Sequence, residues 1–175
     1  WSDNKPVLNG WLQLESSISA ELMSHQGYDS LTIDMQHGLI GYSELLKILQ
    51  SIRASKVTSL VRVPWLDPGI IMKSLDAGAH GIICPMINNR KEAENFVSCL
   101  RYPPLGKRSF GPTRQNIINS SYYENANQEV IAIAMIETEE AMENLEEIIS
   151  TPYLDAIYIG PADLSLGIKQ GKLKP

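Results

Sequence analysis

The stretch "VIAIAMIETEEAMENLEEIIS", Val130 to Ser150, changes its hydrophobic period half-way, and that change points to the fold. Its first part, to Glu137, is a short, nearly continuous apolar run rich in Ile and Val, as expected of a strand covered on both faces. In its second part Ala141, Met142, Leu145, Ile148 and Ile149 recur at spacings of three and four, one face of a helix. A buried strand followed at once by an amphipathic helix is a βα unit.

Working outward, five more runs resemble the first: "VLNGWLQL" (Val7 to Leu14), "SLTID" (Ser30 to Asp34), "TSLVRV" (Thr58 to Val63), "GIICPMI" (Gly81 to Ile87) and "LDAIYIG" (Leu154 to Gly160). Between the second and third, "SELLKILQSIRAS" repeats the helical pattern through Leu45, Ile48, Leu49 and Ile52, with Ser43 as its expected N-cap. Strands alternating with helices at a period of roughly 25 residues imply right-handed βαβ units and a parallel sheet. A closed α/β barrel would need eight strands and typically about 250 residues, so the six seen here predict an incomplete barrel. The alternation breaks once, at the polar stretch Arg101 to Gln128. A loop of that length is uncommon in a compact domain and more often functional than filler.

At 175 residues the chain has the size of one domain. Hydrophobic residues at 43%, charged residues at 20% and a net charge of -5 exclude a disordered chain and give nucleic acid nothing to bind. The one basic cluster, Lys169, Lys172 and Lys174, reads as a solvated end. Cys84 and Cys99 form no CxxC pair and suggest no disulfide framework, so a reducing cytoplasm is expected. No run of about 18 apolar residues and no charged-then-apolar leader is found, which predicts neither a membrane span nor a signal peptide. A start on Trp1 rather than Met implies that a few leading residues are absent.

Ligands of parallel α/β folds gather outside the carboxyl ends of the strands. The polar residues expected there are Asp34 and His37 after the second strand, Arg62 at the end of the third, Glu137 at the end of the fifth and Asp163 after the sixth. Glu137 and Asp163 can converge as two hard oxygen ligands for Mg²⁺ or Mn²⁺, or each can simply cap the helix that follows it. Arg62 lies between Val61 and Val63, where an unpaired guanidinium is costly; it fits a substrate carboxylate or enolate oxygen, or else an ion pair with an acid such as Asp76. His37 is three residues past Asp34, so the carboxylate can orient its ring, an arrangement equally common as a structural hydrogen bond. His25 and His80 have no such company and read as structural. "GPADLS", Gly160 to Ser165, opens a helix whose amides can hold an anion.

Taken together, "IDMQHG", "VRVPWLDPGIIMKSLDAGAHGIICPMI", "RYPPLGKRSFGPTR", "AMIETEEAMENL" and "LDAIYIGPADLSLG", in this order, resemble the HpcH/HpaI aldolase family from about Leu8 to about Gly167. The resemblance implies an α/β fold, the phosphoenolpyruvate/pyruvate-type (β/α)8 TIM barrel, in homotrimers or hexamers with an end helix exchanged between subunits. It implies a class II aldolase that cleaves a 4-hydroxy-2-oxo acid to pyruvate and an aldehyde with a divalent ion, Mg²⁺ or Mn²⁺, with Co²⁺ or Zn²⁺ as further candidates. Carried over, the metal ligands are Glu137 and Asp163, the pyruvate-enolate clamp is Arg62, and the acid/base is His37 with Asp34 behind it. Asp76 matches a further acid near the site, and Gly160, Pro161 and Ala162 supply substrate contacts.

Two positions depart from the better-known members: Gln36 stands where they have glutamate, and Met135 where they have glutamine, which bears on the substrate. The chain ends just past the sixth strand, so residues 1–175 are expected to be one barrel domain lacking its last part and inactive alone. Lyases acting on CoA thioesters share the barrel and the Arg and acid set, and a non-catalytic 2-oxo acid or metal binding module is the alternative from outside enzymes.

Overall fold

The computed structural model describes residues 5–168; Trp1 and the lysines 169, 172 and 174 lie outside them. The six apolar runs form β1 (Asn9–Leu12), β2 (Ser30–Asp34), β3 (Thr58–Arg62), β4 (Gly81–Cys84), β5 (Ile131–Ile136) and β6 (Ala156–Ile159). All pair in parallel and in chain order, as successive βα crossovers require. The helices are α1 (Ser17–Ser24), α2 (Tyr42–Ser51), α3 (Pro68–Asp76), α4 (Arg90–Leu100), α5 (Thr113–Ile118), α6 (Tyr122–Glu129), α7 (Glu139–Glu143), α8 (Leu145–Ile149) and α9 (Pro161–Ile168).

The sheet curls into a half-barrel. Laid flat, six strands would hold their outer members about 24 Å apart at the usual strand spacing, yet the rings of Trp11 on β1 and Tyr158 on β6 stand 5.5 Å apart. Two apolar layers follow. Leu60, Ile83, Ile133 and Met135 fill the concave face with Trp11, Ile131, Ala156 and Tyr158 against them. The larger cluster, including Leu31, Ile33, Val61, Ile82, Phe96 and Ala134, seals the convex face beneath the helices. β2, β4 and most of β5 are buried throughout, which is why they read as unbroken apolar runs.

The stretch Arg101 to Gln128, expected as a functional loop, instead carries α5 and most of α6 and lies at the amino-terminal ends of the strands, opposite the expected site. Two buried arginines hold it there. Arg101 donates to the carbonyls of Val130 and Tyr153 and to Asp155 at 2.9 Å, while Asn127 and the Tyr102 backbone bond reciprocally at 2.6 and 3.1 Å. The helix read across Ala141 to Ile149 is broken at Asn144 into α7 and α8, so Ala141 and Ile148 are buried but Met142 and Ile149 are exposed. Ser43 is not the cap of α2, whose N-cap position is taken by Gly41.

Candidate active site

Register places the first pair. Asp34 and Arg62, the last residues of β2 and β3, are direct partners in the ladder, with side chains on the concave face. Arg62 donates Nε to Asp34 Oδ1 at 2.9 Å and Nη2 to Oδ2, a two-pronged bond of the geometry that suits guanidinium and carboxylate. Asp34 is fully buried, and Trp11 Nε1 and Gln13 Nε2 also donate to Oδ2 at 3.1 and 3.2 Å. The Arg62 guanidinium lies 5.0 Å from the centre of the Trp11 ring. Its Nη1 is the nitrogen left over for a further acceptor.

Arg62 therefore pairs with Asp34 and not with Asp76. Burial alone would raise the Asp34 carboxyl pKa, but the Arg62 fork, Trp11, Gln13 and the His37 amide outweigh it and hold the group well below the usual carboxylate range. A carboxyl depressed on folding contributes stability that is fully present above its unfolded pKa, near 4, and is lost only as pH falls through the folded value. Acidification from pH 7 to about 4 is accordingly expected to leave this pair intact, read as unchanged Trp11 fluorescence and near-UV circular dichroism.

Asp34 also sets the loop that carries His37, though not through the imidazole ring as the spacing suggested. Its Oδ1 accepts the backbone N–H groups of Gln36 at 3.0 Å and His37 at 3.2 Å. The His37 side chain is exposed. Gln36 is half-buried and its Oε1 is enclosed without a partner.

Glu137 directly follows β5 and is 3% exposed. It is not the cap of α7, because Thr138 does that work by accepting the Ala141 N–H. Its Oε1 accepts the Met86 N–H at 2.7 Å, delivered by a residue with φ of 56°, and its Oε2 faces Gly160, where an added Cβ would sit 2.6 Å away. Burial raises the Glu137 pKa most, Met86 opposes it, the Asp163 charge raises it further, and Arg62 and His37 oppose; the net direction is upward. Glu137, Asp163, Arg62 and His37 thus stand after or at the carboxyl ends of β5, β6, β3 and β2, along one rim of the curled sheet. Asp163 lies in the first turn of α9, where its charge also suits the helix dipole.

Two neighbouring carboxylates, one buried and one exposed, are a donor set that fits a hard divalent cation. Among the described residues no group of three or more His, Cys, Asp or Glu forms a cage, so such an ion would complete its shell with water or substrate oxygens. Met135 points into the concave layer, 2% exposed, beneath Glu137 and Gly160. Asp76 is the residue the structure does not bring in. It ends α3 at the amino-terminal face and binds Arg108 at 2.7 Å. Trp11, Gln13 and Met86 were missed; the alternation of Asn9, Trp11 and Gln13 through β1 and the residue after it could have shown the first two, whereas a backbone N–H such as that of Met86 leaves no trace in side-chain chemistry. Cys84 and Cys99 are buried free thiols, and burial pushes both upward in pKa, away from nucleophilic use.

A curled parallel α/β sheet with an arginine–carboxylate pair and two acids at the carboxyl ends of its strands defines a barrel-type protein with its polar side chains gathered where such folds bind ligands. The chain belongs to the HpcH/HpaI aldolase/citrate lyase family, whose model matches residues 8–173. It is 43% identical over 174 residues to a hydroxypyruvate/pyruvate aldolase of Rhizorhabdus wittichii, covering 99% of this chain and 69% of that one. It is 40% identical over 166 residues to a 4-hydroxy-2-oxo-heptane-1,7-dioate aldolase of Salmonella dublin, covering 92% and 63%. A solved HpcH/HpaI aldolase/citrate lyase family protein from Burkholderia cenocepacia superposes with a TM-score of 0.88 at 31% identity, over 94% of this chain and 67% of that one. The chain thus spans about two thirds of the length of these relatives.

Proposed function

We propose that this chain forms the pyruvate-binding side of a metal-dependent aldolase that cleaves a 4-hydroxy-2-oxo acid to pyruvate and an aldehyde. The observation that carries the reading is the convergence of Glu137, Asp163, Arg62 and His37 at the carboxyl ends of the strands. Glu137 and Asp163 would hold Mg²⁺ or Mn²⁺, with Co²⁺ or Zn²⁺ as alternatives, and when bound the ion supplies Lewis-acid charge to the 2-oxo acid. Arg62, fixed by Asp34, turns Nη1 toward the developing oxyanion and lowers its energy. At the start of α9 the Gly160 N–H is taken by the Ile136 carbonyl at 3.0 Å and Pro161 has none, so the amides of Ala162 and Asp163 are the ones the first turn offers to the substrate carboxylate. His37, exposed on the loop that Asp34 anchors, moves the proton of the aldol hydroxyl. Gln36 and Met135 stand beside this centre as neutral side chains and bear on which aldehyde is accepted. The family relationship supports a small-molecule substrate, and we place the protein in the cytoplasm as a homo-oligomer.

The test is pyruvate release from a panel of 4-hydroxy-2-oxo acids with Mg²⁺ or Mn²⁺, alongside Mn²⁺ binding followed by electron paramagnetic resonance. Glu137→Gln is expected to abolish pyruvate release and to weaken Mn²⁺ binding by at least about tenfold; undiminished binding would refute the ligand assignment. Cleavage of CoA esters with none of free 4-hydroxy-2-oxo acids would move the activity to the citrate-lyase side of the family. Gly160→Ala is expected to weaken Mn²⁺ binding by about 10–100-fold, as disturbed support of a ligand does, because its Cβ would lie 2.6 Å from Glu137 Oε2 and 2.9 Å from Glu137 Cβ.

A further inference from the structure

A cavity of about 280 Å³ opens at the amino-terminal ends of β3 and β4, on the opposite side of the sheet's length from Glu137 and Asp163. Its charged lining is basic throughout: Arg53, Lys56 and Arg114, with His80 beside them and no Asp or Glu in the wall. In a chain of net charge -5, this is a local reversal of sign. Arg53 and Lys56 make no ion pair among the described residues.

Arg114 is seated deliberately. Its Nη1 donates to the Ala77 carbonyl and its Nη2 to the Leu49 carbonyl at 3.3 Å, and it fits because position 78 is glycine. Gly78 has φ of +116°, and a Cβ there would collide with Arg114 Nη1. Burial and the like charge of Arg53 both disfavour the Arg114 cation, so the cluster carries an electrostatic cost that an anion would relieve. Hydrogen-bond donors complete the lining. His80 Nδ1 accepts the Ser59 N–H at 3.3 Å, which puts the proton of the neutral ring on Nε2 as a donor, and Gln115 Nε2, which gives one proton to the Leu75 carbonyl at 3.2 Å, keeps a second.

We propose that this cavity is a second ligand site, separate from the catalytic centre, for a small metabolite with a phosphate or carboxylate head group held by Arg53, Lys56 and Arg114. Guanidinium and ammonium groups next to neutral N–H and O–H donors recognise such oxyanions, and the volume admits a small molecule but no polymer. The site is independent of the aldolase reading.

Isothermal titration at low ionic strength with inorganic phosphate and, separately, succinate tests it on the wild type, Arg53→Gln/Lys56→Gln and Glu137→Gln. Both basic side chains of the double variant are exposed, so it is expected to fold, checked by circular dichroism. The expected result is one-site binding of at least one anion, weakened by about tenfold or more in the double variant and unchanged in Glu137→Gln. Phosphate alone would identify a phosphoryl head and succinate alone a carboxylate head. The proposal is overturned if neither anion binds, if the double variant binds as the wild type does, or if Glu137→Gln abolishes the binding.

Discussion

Asp34→Asn is expected to cost about 3–5 kcal/mol of folding stability, because it leaves a guanidinium in an enclosed site with its counter-charge removed. Asp34 is 0% exposed and accepts from six donors: Arg62 Nε and Nη2, Trp11, Gln13, and the amides of Gln36 and His37. Asparagine keeps the shape but offers one acceptor oxygen, and its NH₂ meets an N–H donor whichever way it turns. The variant also releases the loop that carries His37, so a functional loss beyond the stability loss is expected. Urea denaturation measures the first effect. A change below about 1 kcal/mol would place Asp34 among exposed ion pairs and contradict the buried geometry described here.

Arg108→Met is expected to cost a similar amount, about 3–5 kcal/mol, at the other end of the barrel. Arg108 is 2% exposed; it donates to Asp76 Oδ1 at 2.7 Å and to the Tyr122 hydroxyl at 2.8 Å, and it lies 4.5 Å over the Tyr102 ring. Methionine replaces much of the apolar stem but leaves Asp76 and the Tyr122 hydroxyl without their donor. The loss should be local first. Faster amide exchange across α5 and α6, with β2 to β4 still protected, is the expected pattern; uniform exchange over the sheet would show that this arginine supports the barrel as a whole.

Much of the site was legible because strands impose a period of two. In β2 the residue that ends the run, Asp34, shares a face with Thr32 and Ser30, and in β3 Arg62 shares one with Leu60 and Thr58. Any reading that finds the strands therefore finds the strand-end residues. Glu137, next after β5, was found in the same way, and Asp163 by its place in the helix turn that follows β6. Trp11 and Gln13 escaped because a single aromatic residue in an apolar run looks like core, which Trp11 also is.

Local order came from the chain's own pattern: six strand runs, helices such as α2 that follow them and the residues that close the strands follow from side-chain spacing and backbone sterics, which act over a few residues. Tertiary structure decided the partners. Arg62 had two acids to choose between, and the choice of Asp34, 28 residues away, was made by the register of β2 against β3. That choice released Asp76 to Arg108 and set it at the far end of the barrel. Tertiary structure also turned the polar stretch after Arg101 into helices at the amino-terminal face, since only there do Asp155, Val130, Asp76 and Tyr122 meet its two buried arginines. The physical reason is common to both: a buried charge must find its partner in space, and distances in space between segments far apart in the chain are set by packing, which no local pattern records.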